Sequence, residues 1–192
     1  GDFVTPVVPG PTAAVLPAGF RAKAVSASGS PLSSTSHTCA TLEQSANGTW
    51  QDRGVYCWGD NRFGQLGRGS FNSTASLSQA SAQGVVGLSG SSIGKVIQGV
   101  ATGAAHSCVV LAGTSAASGG GVLCWGANDK GQLGAQSTQD SSLPLTPIGY
   151  TSAGATGIAV GSNHTCVITN TKTVQCWGAN DALQLGVQWT SD

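Results

Sequence analysis

His106-Ser107-Cys108, followed after an interval by Cys124-Trp125-Gly126-Ala127-Asn128-Asp129-Lys130-Gly131-Gln132-Leu133-Gly134, is a phrase the chain writes three times. Toward the N-terminus it reads His37-Thr38-Cys39, then Cys57-Trp58-Gly59-Asp60-Asn61-Arg62-Phe63-Gly64-Gln65-Leu66-Gly67. Toward the C-terminus it reads His164-Thr165-Cys166, then Cys176-Trp177-Gly178-Ala179-Asn180-Asp181-Ala182-Leu183-Gln184-Leu185-Gly186. Self-similarity at this scale signals units that stack, because one such unit cannot bury its apolar face alone. An apolar alternation precedes each phrase: Phe20 to Val25, Val96 to Ala101, and Thr156 to Val160. Period-two runs bounded by Gly, Ser and Asn predict short strands joined by turns, and no helical stripe of useful length interrupts them. The expected fold class is all-β.

The units divide the chain into residues 1–69, 70–134 with Ser/Gly-rich inserts, and 135–192 with a C-terminal tail. Further back, Pro6-Val7-Val8, Val85-Val86 and Leu145-Thr146-Pro147-Ile148 read as a first strand heading each unit. An extended polyproline tail running to Pro17 is the alternative for the N-terminal segment.

The repeated phrase resembles the regulator-of-chromosome-condensation repeat, in particular its secreted, disulfide-containing form. The resemblance implies four-stranded blades around a central axis, normally about seven to a ring. Ala182-Leu183 departs from the pattern in the third unit, and the inserts at 70–94 and 113–121 are unusual. Three β-propeller blades leave two apolar ends, so the chain is expected to be part of a longer propeller or to be completed by other chains. Gly1 at the start and the absence of Met point to a processed product or a piece.

The six cysteines fall as one pair per unit: Cys39 with Cys57, Cys108 with Cys124, and Cys166 with Cys176. Their separations are 18, 16 and 10 residues while the flanking phrases stay fixed, which suits adjacent antiparallel strands bridged across a hairpin of variable length. Closing loops of this size is worth roughly 3 kcal/mol each in the chain-entropy model. Such bonds persist in oxidising compartments, so the expected location is extracellular, secreted or at the cell surface. The rival reading is zinc: His37 and Cys39 share a strand face and Cys57 could be a third ligand, although no unit offers an obvious fourth. No cofactor is expected.

His37, His106 and His164 are the only histidines, and all occupy one repeat position. A catalytic histidine is normally singular, so these are expected to serve the fold, each hydrogen-bonding a backbone group between units. Trp58, Trp125 and Trp177 are expected to pack the blades, whereas Trp50 and Trp189 lie outside the phrase and are the candidate contact residues. Gly90-Ser91-Ser92-Ile93-Gly94 matches a nucleophile-elbow pattern with Asp129 and His164 following in order, but chance explains it better in a chain this rich in Gly and Ser. The aspartates at 60, 129 and 181 are expected to cap turns. Three N-glycosylation sequons begin at Asn47, Asn72 and Asn163, with Asn163 the least open.

Charged residues are only 8% of the chain and balance to zero, and the basic residues are scattered singly. Nucleic acid is therefore not an expected partner, since counterion release needs a basic footprint. No apolar stretch approaches the length of a membrane-spanning helix. The leading expectation is a non-catalytic extracellular protein–protein interaction module; the alternative is a structural subunit of an extracellular filament, coat or appendage. The family contains a nucleotide-exchange factor and a bacterial β-lactamase inhibitor, and the resemblance by itself does not name a partner.

Overall fold

The computed structural model describes residues 10–28, 36–72, 79–90, 96–113, 121–148 and 154–188. Eleven strands fill the described residues, and they form three antiparallel sheets. The first sheet holds β1 (Phe20–Ala27), β2 (His37–Ala46), β3 (Thr49–Gly59) and β4 (Gln79–Ser89) in chain order. The second holds β5 (Ile97–Thr102), β6 (His106–Leu111), β7 (Val122–Gly126) and β8 (Ser141–Leu145). The third holds β9 (Ala155–Val160), β10 (His164–Thr169) and β11 (Val174–Gly178). These meanders are the blades of a β-propeller, and the all-β expectation holds.

The repeated phrase maps onto the middle of each blade. His-x-Cys opens the second strand and Cys-Trp-Gly ends the third, which places the cysteines directly opposite each other: Cys39 with Cys57, Cys108 with Cys124, and Cys166 with Cys176. All three pairs are joined as disulfides with Cα–Cα distances of 4.1 Å, close to the narrow spacing of antiparallel partners. The glycine that ends the phrase's third strand reverses the chain. Gly126 sits at φ 107°, and a Cβ there would lie 2.5 Å from the Ala105 carbonyl oxygen. Only glycine fits this position, and the Ala127 amide then closes back onto that oxygen at 2.9 Å.

The sheets run out of phase with the repeated phrase. Val85-Val86, read from sequence as the head of the second unit, belong to β4 at the outer edge of the first sheet, and Leu145 ends β8 at the outer edge of the second. The reason is edge pairing. Tyr56 in β3 offers its free edge to Gly84, and the Val86 amide reaches the Gly67 carbonyl at 2.9 Å. Part of the Ser/Gly-rich stretch 70–94 is thus strand rather than loop, while Pro6-Val7-Val8 lies outside the described residues.

The core lies between blades. Val55, Leu66, Val85 and Leu88 of the first blade pack with Ile97, Val109 and Trp125 of the second. Val110, Val122 and Leu133 pack with Ala155 and Val167 of the third. A further cluster, Ala40, Leu42, Tyr56 and Ala82, lies on the first blade with Leu16, Phe20 and Trp58 against it. Strand β5 stands between β1 and β9.

Candidate functional site

The loop after each Cys-Trp-Gly is shaped by two amide side chains. Asn61 accepts from the Leu66 amide at 3.0 Å, Asn128 from Leu133 at 2.9 Å and Asn180 from Leu185 at 3.1 Å. The Gln65, Gln132 and Gln184 side-chain oxygens accept from the amides of Phe63, Lys130 and Ala182 at 2.9, 2.8 and 2.8 Å. Their amino groups donate to Asp60, Asp129 and Asp181 at 2.7, 3.1 and 2.9 Å. Each aspartate therefore anchors a glutamine, Asp60 also accepts from the Arg62 amide at 3.5 Å in the turn-capping expected of it, and the asparagines share that task. The Gln184 hydrogen bond is also the main reason the Asp181 carboxyl is held below its ordinary pKa.

This loop aims a backbone carbonyl at the next blade. The Gln65 oxygen accepts from the Trp125 indole at 2.8 Å and from the Ser107 hydroxyl at 3.1 Å. Ser107 in turn meets His37 Nε2 at 2.7 Å. The second junction repeats every part: Trp177 and Thr165 donate to the Gln132 oxygen at 2.9 and 3.0 Å, and His106 Nε2 lies 3.1 Å from the Thr165 hydroxyl. Because each hydroxyl spends its proton on the carbonyl, it receives one from the histidine, which places a proton on Nε2 of the ring. The expectation that the histidines bond a backbone group is corrected here. For His37 and His106 the partner is a side-chain hydroxyl, which relays to the backbone. Its residue is the middle letter of the next His-x-Cys.

Burial sets the electrostatics of the junction. His106 is fully enclosed, and desolvation, reinforced by the neighbouring His37 and His164, pushes its pKa down to about 3. Gly103 lies against this ring, where a Cβ would come within 2.4 Å of it, and Gly161 makes the same room for His164. Two of the three histidines are thus engaged in holding blades together. The cysteine sulfurs are joined in pairs, and among the described residues no group of His, Cys, Asp and Glu gathers as a metal site.

The exposed candidate is the long β2–β3 hairpin. Its two-residue turn, Asn47-Gly48, has φ of 51° and 77°, the backbone such a tight hairpin needs. The Asn47 sequon therefore stands open at the tip, whereas Asn163 is half-buried, its carbonyl taken by the Ala179 amide at 2.8 Å. Asn72 is half-buried as well, with its sequon running beyond the described residues. Trp50 follows the turn. It is 44% exposed, and the Arg21 guanidinium of β1 lies 3.6 Å from its ring centroid. Arg21 also pairs with Glu43, and Lys23 with Asp52 at 3.0 Å, so the stack is framed by ion pairs. Cation–π contact of this kind, worth about 0.5–1 kcal/mol at exposed sites, steadies an aromatic ring that water still reaches. Trp189 and Ser92 lie outside the described residues.

Three comparisons with known proteins fit this geometry. Models of the regulator of chromosome condensation (RCC1) repeat match residues 53–110, 119–168 and 155–184. The chain is similar to the probable E3 ubiquitin-protein ligases HERC4 and HERC3 of Homo sapiens. It is 35% identical to HERC4 over 71% of its own length and 33% identical to HERC3 over 76%. It spans only 12% and 13% of those relatives. Among solved structures, human WBSCR16 superposes with a TM-score of 0.60 at 20% identity, over 87% of this chain and 36% of that one. Prp20p from Saccharomyces cerevisiae, whose structure is described with its binding properties to Gsp1p and histones, superposes at 0.58 and 16% identity, over 81% and 34%. At such identities the two structures speak for the fold alone.

Proposed function

This chain belongs to the regulator of chromosome condensation repeat family, and on that premise we propose that it is a non-catalytic extracellular protein–protein interaction module on a disulfide-linked β-propeller scaffold. The observation that carries the reading is Trp50, held half-exposed on a projecting hairpin by Arg21 while Trp125 is fully buried. Tryptophan and arginine are the residues most often found to dominate protein interfaces, and here both stand together on a rigid strand pair. The non-catalytic part is supported by the histidines, since His37 and His106 are spent on blade junctions. The extracellular part is supported by three intrablade disulfides and by the open Asn47 sequon. Prp20p and its recorded association with Gsp1p and histones offer a precedent for partner binding by this fold, without naming the partner here.

The test is capture on intact cell surfaces and secreted material by the immobilised full chain, beside Trp50→Ala. A partner held by the wild type and lost by the variant supports the reading, and equal retention by both removes the hairpin as the contact. Mass analysis of native material with and without reductant tests the compartment. Free thiols before reduction would sink the extracellular placement.

A second reading, a structural subunit of an extracellular filament, coat or appendage, is favoured by one observation. Thr38 and Trp58 of the first blade, and His164 and Gln184 of the third, stand at the repeat positions from which the internal junctions are built. Concentration-dependent polymers in electron micrographs would support it, and a monodisperse particle would count against it.

A further inference from the structure

The two ion pairs beside Trp50 share one face of the first blade. Arg21 and Lys23 of β1 pair with Glu43 of β2 and Asp52 of β3, and Glu43 stands directly opposite Asp52. Glu43 alternates with Leu42 along β2, so this face is the reverse of the Leu42–Tyr56 cluster and turns toward the second blade. There the hairpin outruns its neighbour, since β2 and β3 hold 10 and 11 residues against 6 and 5 in β6 and β7. The partners in each pair are unequally covered. The Arg21 and Lys23 side chains are 51% and 46% exposed, and their carboxylates 16% and 21%. A cationic surface therefore overlies a neutral cluster.

Both cations keep donors to give. The Arg21 guanidinium lies 3.6 Å from the Trp50 ring centroid and donates to Glu43 through Nε, while among the described residues its terminal amino groups meet no acceptor. A guanidinium stacked on an aromatic ring holds those N–H groups in its own plane, in the fork that a carboxylate takes in pairs. The Lys23 ammonium donates to Asp52 at 3.0 Å and has further N–H groups beyond that bond. Arg21 and Lys23 are alternate residues of one strand, roughly 7 Å apart, which is also the spacing of alternate side chains in an extended peptide. We propose that this surface binds an acidic peptide segment in extended form, with one carboxylate on the Arg21 fork and that of the next alternate residue on the Lys23 ammonium. Trp50 holds the fork in place. The Glu43 and Asp52 carboxylates just beneath disfavour a denser polyanion, such as a sulfated glycan, against a chain with a carboxylate at every second residue. This rests on the reading of the hairpin as a contact site and names the chemistry of what it meets.

The test uses the full chain under non-reducing conditions and a short fluorescently labelled peptide alternating glutamate with alanine, followed by anisotropy at low salt. The glutamate peptide is expected to bind, and to weaken as salt rises. The same peptide with glutamine in place of glutamate is expected not to bind. Arg21→Gln and Lys23→Gln are each expected to lower affinity about five- to ten-fold. Glu43→Gln removes a carboxylate beneath the surface and is expected to tighten binding instead. Equal binding of the two peptides, or affinity unmoved by both cation variants, overturns the proposal. So does a heparin oligosaccharide that binds where the glutamate peptide does not. The wider reading fails separately. Trp50-dependent capture of a partner that the glutamate peptide cannot displace sinks the acidic chemistry alone, whereas peptide binding without any Trp50-dependent capture sinks the hairpin as the contact in native material.

Discussion

Replacing Thr165 with valine tests the junction at its most enclosed point. Valine nearly matches threonine in volume, so the packing around β10 is retained and the hydroxyl alone is lost. The Thr165 oxygen accepts from His106 Nε2 at 3.1 Å and donates to the Gln132 carbonyl at 3.0 Å. Both Thr165 and His106 are fully buried, so water cannot replace the missing partner. Gln132 keeps its bond from Trp177 at 2.9 Å, but the histidine is left with an orphaned N–H. Moving the ring proton to Nδ1 would not help, since that atom has no hydrogen-bond partner either. Leaving one buried group unsatisfied costs about 1–3 kcal/mol, and the lost hydroxyl-to-carbonyl bond adds to it, so a loss of about 2–3 kcal/mol is expected. Thr165→Ser keeps the relay and gives up only a methyl group, for about 1 kcal/mol. The assay is equilibrium urea unfolding at neutral pH without reductant, followed by tryptophan fluorescence. If the valine variant is as stable as the serine variant, the hydroxyl relay does not hold these blades together.

Four further outcomes are expected. Gly103→Ala places a Cβ within 2.4 Å of the His106 ring and should lower stability by about 1–3 kcal/mol in the same urea assay. Acidification should weaken the fold because the His106 pKa, about 3 when folded, lies below its ordinary 6.5. Between those values the unfolded chain binds a proton the folded one refuses, so this stability is complete above 6.5 and falls as pH drops; at pH 5 the loss is about 2 kcal/mol, and His106→Gln should flatten the slope when urea midpoints are compared across that window. Trp50→Ala should leave thermal unfolding nearly unchanged, since the ring lies on an exposed hairpin, while reducing partner capture. Reduction of the three disulfides should lower the thermal midpoint strongly, each loop closure being worth roughly 3 kcal/mol in the entropy model.

Much of a blade was legible because its information is local. The apolar alternation from Phe20 to Val25 became β1, that from Thr156 to Val160 became β9, and each cysteine pair faced its own partner. The phase of the sheets was not legible in this way. Val85-Val86 stand after a long Ser/Gly stretch and before the second phrase, and chain order alone does not say which free strand edge they join. The histidine's partner was equally hidden, although written in plain view as Thr38, Ser107 and Thr165. A contact between residues 106 and 165 depends on how blades stack, and no periodicity within one blade encodes it. Asn128 and Gln132 went unread for a related reason: their task is to shape one loop so that its carbonyl faces a neighbour.

That shared carbonyl gives the array a direction. At both junctions a hydroxyl-and-indole flank faces the preceding unit and a histidine-and-carbonyl flank faces the following one, so units join in one order only, like links with a hook and an eye. A duplicated unit spliced in by recombination would arrive already fitted on both sides, with no compensating change demanded of its neighbours.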